Sequence, residues 1–326
     1  MNKAAIATAV FSALVSGSSL AATVYDNDGT ELKVGGRVEF RGDFIGSSGA
    51  EVDGTMKDKS RARLNLKGST EIADGLKGFA FYEAEQGSGD SEFDNRYMYA
   101  GLDTNIGAFS AGRQDMAAVI ISDLTDVTEF SGIQQYIDSA SDKEDSTFAY
   151  RGSFDALQVE ATYTANSTKS TDGYSISGLY SLPMGLDLGL AYSGADLGQD
   201  AGSESQFLLG AGFTWEALYL GATYSMGDIN DKAKEEFNAL EVVAAYKITD
   251  QFTLKALYAN AEVEDKSANT KADSDDFFEV VGYYKFNGNI SSYVSYMSNG
   301  LTDVKDANGV VTAGEDTLRL GLKYKF

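Results

Sequence analysis

The sequence predicts an all-β fold, a transmembrane antiparallel β-barrel of sixteen strands with short periplasmic turns and long external loops. Three observations support this prediction. Apolar and polar residues alternate with a period of two along most of the chain, as they do in strands with two different faces. Charged residues gather on one of those faces, and short and long connections follow each other in turn.

The C-terminal segment 317–326 alternates at every position. One parity holds Leu318, Leu320, Leu322, Tyr324 and Phe326, and the other holds Thr317, Arg319, Gly321, Lys323 and Lys325. Successive side chains of a strand point to opposite faces. This strand therefore has one apolar face and one cationic face, and the chain ends on an aromatic residue.

Two early segments, 32–45 and 61–72, repeat the pattern with more charge. The first carries its charged residues at odd positions, namely Lys33, Arg37, Glu39, Arg41 and Asp43. In the second, Arg61 and Arg63 likewise share one parity. An Arg or Lys facing lipid costs about 2–4 kcal/mol at the membrane midplane, so the charged parity is expected to face water in a lumen.

Sixteen strands are predicted in all. They span 32–45, 61–72, 76–85, 96–102, 108–113, 147–151, 157–163, 174–182, 186–193, 207–215, 218–224, 240–247, 252–258, 277–286, 290–296 and 317–326. A barrel of this size encloses an aqueous channel rather than a packed core. Several Tyr residues near strand ends, among them Tyr219 and Tyr246, are candidates for aromatic girdles.

The connections alternate between two lengths. The short ones include 73–75, 155–156, 183–185, 216–217, 249–250 and 287–289; the long ones are 46–59, 86–94, 114–146, 164–173, 195–204, 226–237, 264–276 and 299–316. Outer-membrane barrels place short turns at the periplasm and long loops outside. A soluble secreted β-protein, the alternative, has no reason to place every long loop at one end.

Residues 1–21 read as a signal peptide, which leaves 22–326 as a single barrel domain. Lys3 provides the positive start, 4–15 the apolar core, and Ser19-Leu20-Ala21 the cleavage signal. The alternative is an uncleaved anchor helix, for which the apolar core is short. Export across the inner membrane is therefore expected.

The composition excludes several functional classes. The chain has no His and no Cys, which removes the commonest general base and the usual nucleophile pairs. Its formal net charge is −23, so nucleic acid is not an expected partner. We expect no enzymatic activity, no cofactor and no bound metal.

Five segments resemble Gram-negative general diffusion porins in the same order and spacing. They are 24–29 (VYDNDG), 63–68 (RLNLKG), 96–102 (RYMYAGL), 126–132 (DVTEFSG) and 323–326 (KYKF). The resemblance implies a sixteen-stranded, homotrimeric outer-membrane barrel whose third external loop folds into the lumen. It also implies that Phe326 is an assembly signal for the barrel-assembly machinery. Thr128 stands where the family has Pro.

Candidate pore residues follow from this resemblance together with strand parity. The expected basic wall consists of Arg37, Arg61, Arg63, Arg96 and Lys143, and the expected acidic loop side consists of Asp123, Asp126 and Glu129. The resemblance implies the roles of Arg63, Arg96 and Glu129, and also those of Arg37, Asp126 and Lys143. Arg61 follows instead from its parity, and Asp123 from the loop's acidity. The alternatives are ordinary salt bridging along the lumen wall and a solvated external loop.

The expected function is passive diffusion of small hydrophilic solutes and ions across the Gram-negative outer membrane, with a preference for cations. Outer-membrane lipid and lipopolysaccharide are the expected surroundings. A substrate-specific channel is the alternative, since such channels commonly carry an aromatic track. Tyr97 and Tyr99 have the opposite parity from Arg96, so they are predicted to face lipid or a neighbouring subunit.

Overall fold

Sixteen antiparallel strands close into a barrel in the computed structural model, which describes residues 21–326. The strands are β1 Thr30–Asp43, β2 Arg61–Ala73, β3 Leu76–Gly87, β4 Asp94–Thr104, β5 Gly107–Gln114, β6 Glu144–Phe154, β7 Leu157–Thr164, β8 Gly173–Leu182, β9 Leu186–Asp196, β10 Ser203–Trp215, β11 Leu218–Asn230, β12 Glu235–Lys247, β13 Phe252–Asp265, β14 Thr270–Lys285, β15 Ile290–Asn299 and β16 Thr317–Lys325. Each strand pairs with its successor, and β16 pairs with β1.

Short strands complete the closure between β16 and β1 and extend the external end of the barrel. The strand Ala22–Asn27 pairs with the start of β1, and Phe326 exchanges two backbone hydrogen bonds with Gly36. Two small hairpins lie in the first and last external loops: Gly46–Ser47 with Ala50–Glu51, and Val304–Lys305 with Val311–Ala313. The barrel is thus closed by residues from both ends of the described chain.

The sixteen predicted strands are all present, and the fold-class prediction is confirmed. The largest boundary differences lie at the external ends of β13 and β14, which continue to Asp265 and begin at Thr270. The predicted loop 264–276 is therefore mostly a hairpin that continues beyond the apolar alternation. The predicted signal peptide lies outside the described residues, except for Ala21.

The two faces of the sheet differ as the alternation predicts. On β16, Leu322 and Tyr324 are about half exposed on the outer surface, whereas Arg319 and Lys323 are buried inside. Tyr246 is also exposed outside, but Tyr219 is buried and faces the lumen, which corrects its assignment to a girdle. No helix in residues 21–326 is both long enough and apolar enough to cross a membrane.

Candidate constriction site

The third external loop, residues 115–143 between β5 and β6, folds into the barrel. It contains one turn of α-helix, α1 Val119–Ser122, and a 3-10 turn at Asp138–Ala140. Ile121 of α1 is fully buried in a cluster that includes Leu208 and Phe237 from the lumen face of the wall. Apolar packing therefore holds the loop against the inside of the barrel.

Glycines in the wall make room for this packing. A Cβ on Gly189 would lie 2.4 Å from Ile121, and one on Gly210 would lie 2.6 Å from the same side chain. Real Cβ atoms do not approach other atoms so closely, so a larger residue at either position would displace α1. These glycines lie on β9 and β10, directly beneath the helix.

Two buried wall carboxylates hold the loop backbone. Glu241 on β12 accepts hydrogen bonds from the backbone N–H groups of Gly132 and Ile133 at 2.8 and 3.3 Å. Glu279 on β14 accepts from those of Glu129 and Phe130 at 3.1 and 3.2 Å. A hydrogen bond contributes about 0.5–1.5 kcal/mol net, so these four contacts together hold the loop tip against the wall.

Hydroxyl groups and one lysine add further anchors along the same side. The Tyr219 hydroxyl donates to the Leu124 carbonyl at 2.6 Å, and the Thr125 and Thr223 hydroxyls lie 2.9 Å apart. Lys255 donates to the Val127 carbonyl at 2.5 Å. We call the lumen faces of β7–β14, which this loop contacts, the covered wall.

The lumen faces of β1–β4 remain open to the channel, and we call them the open wall. Four of the predicted basic residues lie here, each beside a wall carboxylate. The ion pairs are Arg37–Glu39 at 3.6 Å, Arg61–Glu39 at 3.0 Å, Arg96–Glu83 at 2.9 Å and the close pair Arg63–Glu85. The structure thus brings Arg37, Arg61, Arg63 and Arg96 together, in a band that is also rich in glutamate.

The acidic loop residues occupy two different places. The side chains of Asp123 and Asp126 are exposed to the lumen, and Asp126 accepts a hydrogen bond from the Ser131 hydroxyl at 2.6 Å. Glu129 instead reaches the wall, where its carboxylate lies 3.3 Å from Arg41. Glu129 therefore bridges the loop to β1.

Lys143, the fifth predicted basic residue, lies where the loop rejoins the barrel. Its backbone N–H donates to the Asp115 carboxylate at 3.1 Å, and its ammonium contacts Asp142. Burial, assisted by the Arg96 guanidinium, lowers the pKa of Lys143 to about 8. Because this pKa lies above 7, the ammonium is largely protonated at pH 7.

The predicted site did not include the carboxylates of the open wall or the basic wall residues that contact the loop, namely Arg41, Lys255 and Arg319. Glu39 is fully buried and also lies 2.9 Å from the Tyr293 hydroxyl. Arg319 forms a two-point ion pair with Asp43, at 2.6 and 2.9 Å, and lies over the Phe130 ring. The parity of Glu39, Asp43 and Arg319 was the available signal, because each falls on the charged face of its strand.

The orientation predicted for Tyr97 and Tyr99 is wrong. The pairing of β3 with β4 shifts between Glu83 and Ala84, so that Glu83 faces Tyr97 while Ala84 faces Asn95. Arg96 is the extra residue, and such a bulge reverses the facing of the residues that follow it. Both tyrosines therefore share the lumen face with Glu83, and the Tyr97 hydroxyl lies 3.3 Å from Asp115.

A cavity of about 690 Å³ lies between the loop tip and the wall on the external side. Glu129 and Phe130 border it from the loop, and Arg41, Arg61 and Arg319 border it from the wall. Its lining is mostly polar and charged, which suits hydrated solutes. A closed barrel with a charged lumen and a loop folded into it defines a membrane channel.

Comparison with known proteins identifies the family. The model of the Gram-negative porin family matches residues 4–303. Outer membrane protein U of Vibrio vulnificus is 34% identical, with all of both chains covered. Outer membrane porin protein OmpD of Salmonella typhimurium strain LT2 is 28% identical, with 98% of this chain and 99% of OmpD covered. The chain belongs to the Gram-negative porin family.

Solved structures agree on the fold. OmpF of Salmonella typhi superposes with a TM-score of 0.79 at 21% identity, covering 94% of this chain and 100% of OmpF. OmpT of Vibrio cholerae, in a trimer form, superposes with a TM-score of 0.75 at 16% identity, covering 92% and 100%. The protein is an outer-membrane channel for passive diffusion, and not an enzyme.

Proposed function

We propose that this channel carries small hydrophilic solutes and ions, with a preference for cations, through a gap between the third loop and the open wall. One observation carries the proposal. The wall arginines are paired with Glu39, Glu83 and Glu85, whereas Asp126 on the loop is exposed. The net charge of the side chains around the gap is therefore less positive than the arginines alone would make it.

The net charge of the whole chain also favours cations. With a formal net charge of −23, the protein raises the local concentration of cations at its mouths. Rings of acidic side chains favour cations in channels generally. The paired arginines retain a transverse field across the gap, which orders water and orients dipolar solutes.

Planar-bilayer recording tests the proposal. Under a KCl gradient, the reversal potential of the native channel should indicate a cation preference. Arg63→Ala should increase that preference and Glu129→Ala should decrease it, because the two substitutions remove opposite charges. An anion-favouring reversal potential in the native channel would contradict the selectivity.

We also propose that the chain assembles as a homotrimer in outer-membrane lipid and lipopolysaccharide. The solved OmpT is described as a trimer form. The outer face of β2–β5 carries small residues, among them Gly68, Ala80 and Ala111, around a depression of about 440 Å³. Light scattering of the detergent-extracted protein should give three times the monomer mass; a monomer mass would contradict this proposal.

The roles of the two termini complete the proposal. Phe326 lies at the closing seam, with its ring against Gly36 of β1, which suits recognition of the last strand by the barrel-assembly machinery. Phe326→Ala should lower the amount of assembled barrel in the outer membrane, with Phe286→Ala as a control at a turn. N-terminal sequencing should find Ala22 first if residues 1–21 are a signal peptide.

A further inference from the structure

Four aromatic rings form a patch on the lumen side of β3 and β4. We call Phe79, Phe81, Tyr97 and Tyr99 the aromatic strip. Neighbouring ring centroids lie 5.8 Å apart for Phe81–Tyr97, 5.7 Å for Phe81–Tyr99 and 6.4 Å for Phe79–Tyr99. These separations fall in the range of direct aromatic contact, so the rings make one continuous surface.

The pairing of the strands places this surface in the lumen. Phe81 is directly opposite Tyr99, and Phe79 is opposite Gly101. Gly101 is in turn opposite Ser110, whose hydroxyl donates to Gln114 at 2.6 Å. Gln114 is buried inside the barrel, so the whole row faces inward.

The strip lies between the charged band and the periplasmic mouth. Phe79 is four residues beyond the turn at Gly75, and Glu83 is four residues further along β3. At about 3.3 Å per residue, the strip extends roughly 13 Å along the wall below Glu83. All four rings are only partly buried, so part of each ring remains accessible from the lumen.

Polar groups surround the rings. Glu83 and Arg96 form an ion pair at the upper edge, Lys67 on β2 lies opposite Phe81 and is exposed, and the Tyr97 hydroxyl points towards Asp115. The border thus combines donors and acceptors of both charges. It offers hydrogen bonds without selecting strongly for either sign of charge.

We propose that the aromatic strip is a weak binding subsite for neutral pyranose sugars inside the channel. A pyranose ring has a face of C–H groups that stacks on an aromatic ring, while its hydroxyl groups point sideways to polar partners. The partly exposed rings and their polar border provide both kinds of contact. The proposal rests on the passage of hydrophilic solutes through this lumen and adds a preferred solute class.

Titration of a sugar into single-channel recordings tests the subsite. Maltotriose should reduce the KCl current of the native channel along a saturating curve. Phe81→Ala and Phe81→Leu should each raise the half-saturating concentration roughly two- to tenfold, the range expected for one aromatic contact. Leu keeps apolar volume at this position, so it separates loss of the ring face from loss of packing.

Two controls complete the experiment. Tyr82→Ala, on the same strand but the opposite face, should leave the half-saturating concentration unchanged. Polyethylene glycol of the same hydrodynamic radius should reduce the current linearly, because it obstructs the pore without a sugar face. A linear response to maltotriose, or an unchanged midpoint in Phe81→Leu, would overturn the subsite, whereas absent KCl conductance in the native protein would instead contradict the proposed channel function.

Discussion

The covered wall and the open wall share one backbone geometry but differ in chemistry. On the covered wall, most lumen-facing positions hold small, hydroxyl and apolar residues such as Ser225 and Leu208, and the carboxylates among them, Glu241 and Glu279, are buried against the loop backbone. On the open wall, the equivalent positions hold paired charges such as Arg63 and Glu85. Strand parity decides which side chains face inward, and residue type distinguishes a wall that faces water from one that faces protein.

The third loop should detach from the covered wall when both buried carboxylates are removed. We expect Glu241→Ala combined with Glu279→Ala to remove about 0.5–1.5 kcal/mol of anchoring for each hydrogen bond lost. The loop tip should then leave the wall, and single-channel conductance should rise. Val242→Ala, on the lipid side of β12, is the matched control and should conduct like the native protein.

A bulkier residue under α1 should have the next largest effect. Gly210→Val places atoms where Ile121 now packs, and overpacking of this kind costs about 1–3 kcal/mol. Increased proteolytic cleavage within residues 115–143 of the folded barrel is the expected readout. Gly68→Ala, where nothing lies within 4 Å of the added Cβ, should remain resistant; equal cleavage of both variants would contradict the packing.

Substitutions on the open wall should change the ion selectivity of the channel rather than the stability of the fold. A unit charge about 5 Å from a permeating ion in water contributes about 0.8 kcal/mol, or roughly a fourfold change in ion occupancy. Arg63→Ala and Glu85→Ala should therefore shift the reversal potential in opposite directions. A shift in the same direction for both would show that the ion pair acts structurally and not through the field in the gap.

The smallest expected effect is a pH dependence. The pKa of Lys143 is lowered to about 8, so raising the pH from 7 to 9 removes its positive charge. Cation preference should increase modestly over this interval. The increase should be smaller in Lys143→Gln, which is neutral throughout, and an equal increase in both proteins would exclude Lys143 as its source.

The barrel was predictable because lipid enforces the alternation. The apolar positions of β16 lie on the outer surface, where a charge facing lipid would be costly, so the alternation is complete. Beyond the membrane this constraint ends, which is why the external parts of β13 and β14 were assigned to a loop. Their residues, such as Glu262 and Lys271, pair with each other in water instead.

The candidate site was only partly predictable. Parity alone brought Arg37, Arg61 and Arg63 to the lumen, but the carboxylates that pair with them depend on the register between strands. Arg96 is a single inserted residue in β4. The alternation of apolar and polar residues in the sequence does not reveal this bulge, which becomes visible only when the strand pairing is known. The positions of Glu241 and Glu279 beneath the loop likewise depend on where the loop folds.

The most direct test of the inserted loop is a cross-link between Thr125 and Thr223, whose hydroxyls lie 2.9 Å apart across the loop and β11. The chain has no Cys, so Thr125→Cys combined with Thr223→Cys introduces the only two thiols. This variant should form an intramolecular disulfide under mild oxidation, whereas Thr125→Cys with Val242→Cys should not. Two free thiols in the folded, oxidised Thr125→Cys, Thr223→Cys barrel would contradict the placement of the loop inside the channel.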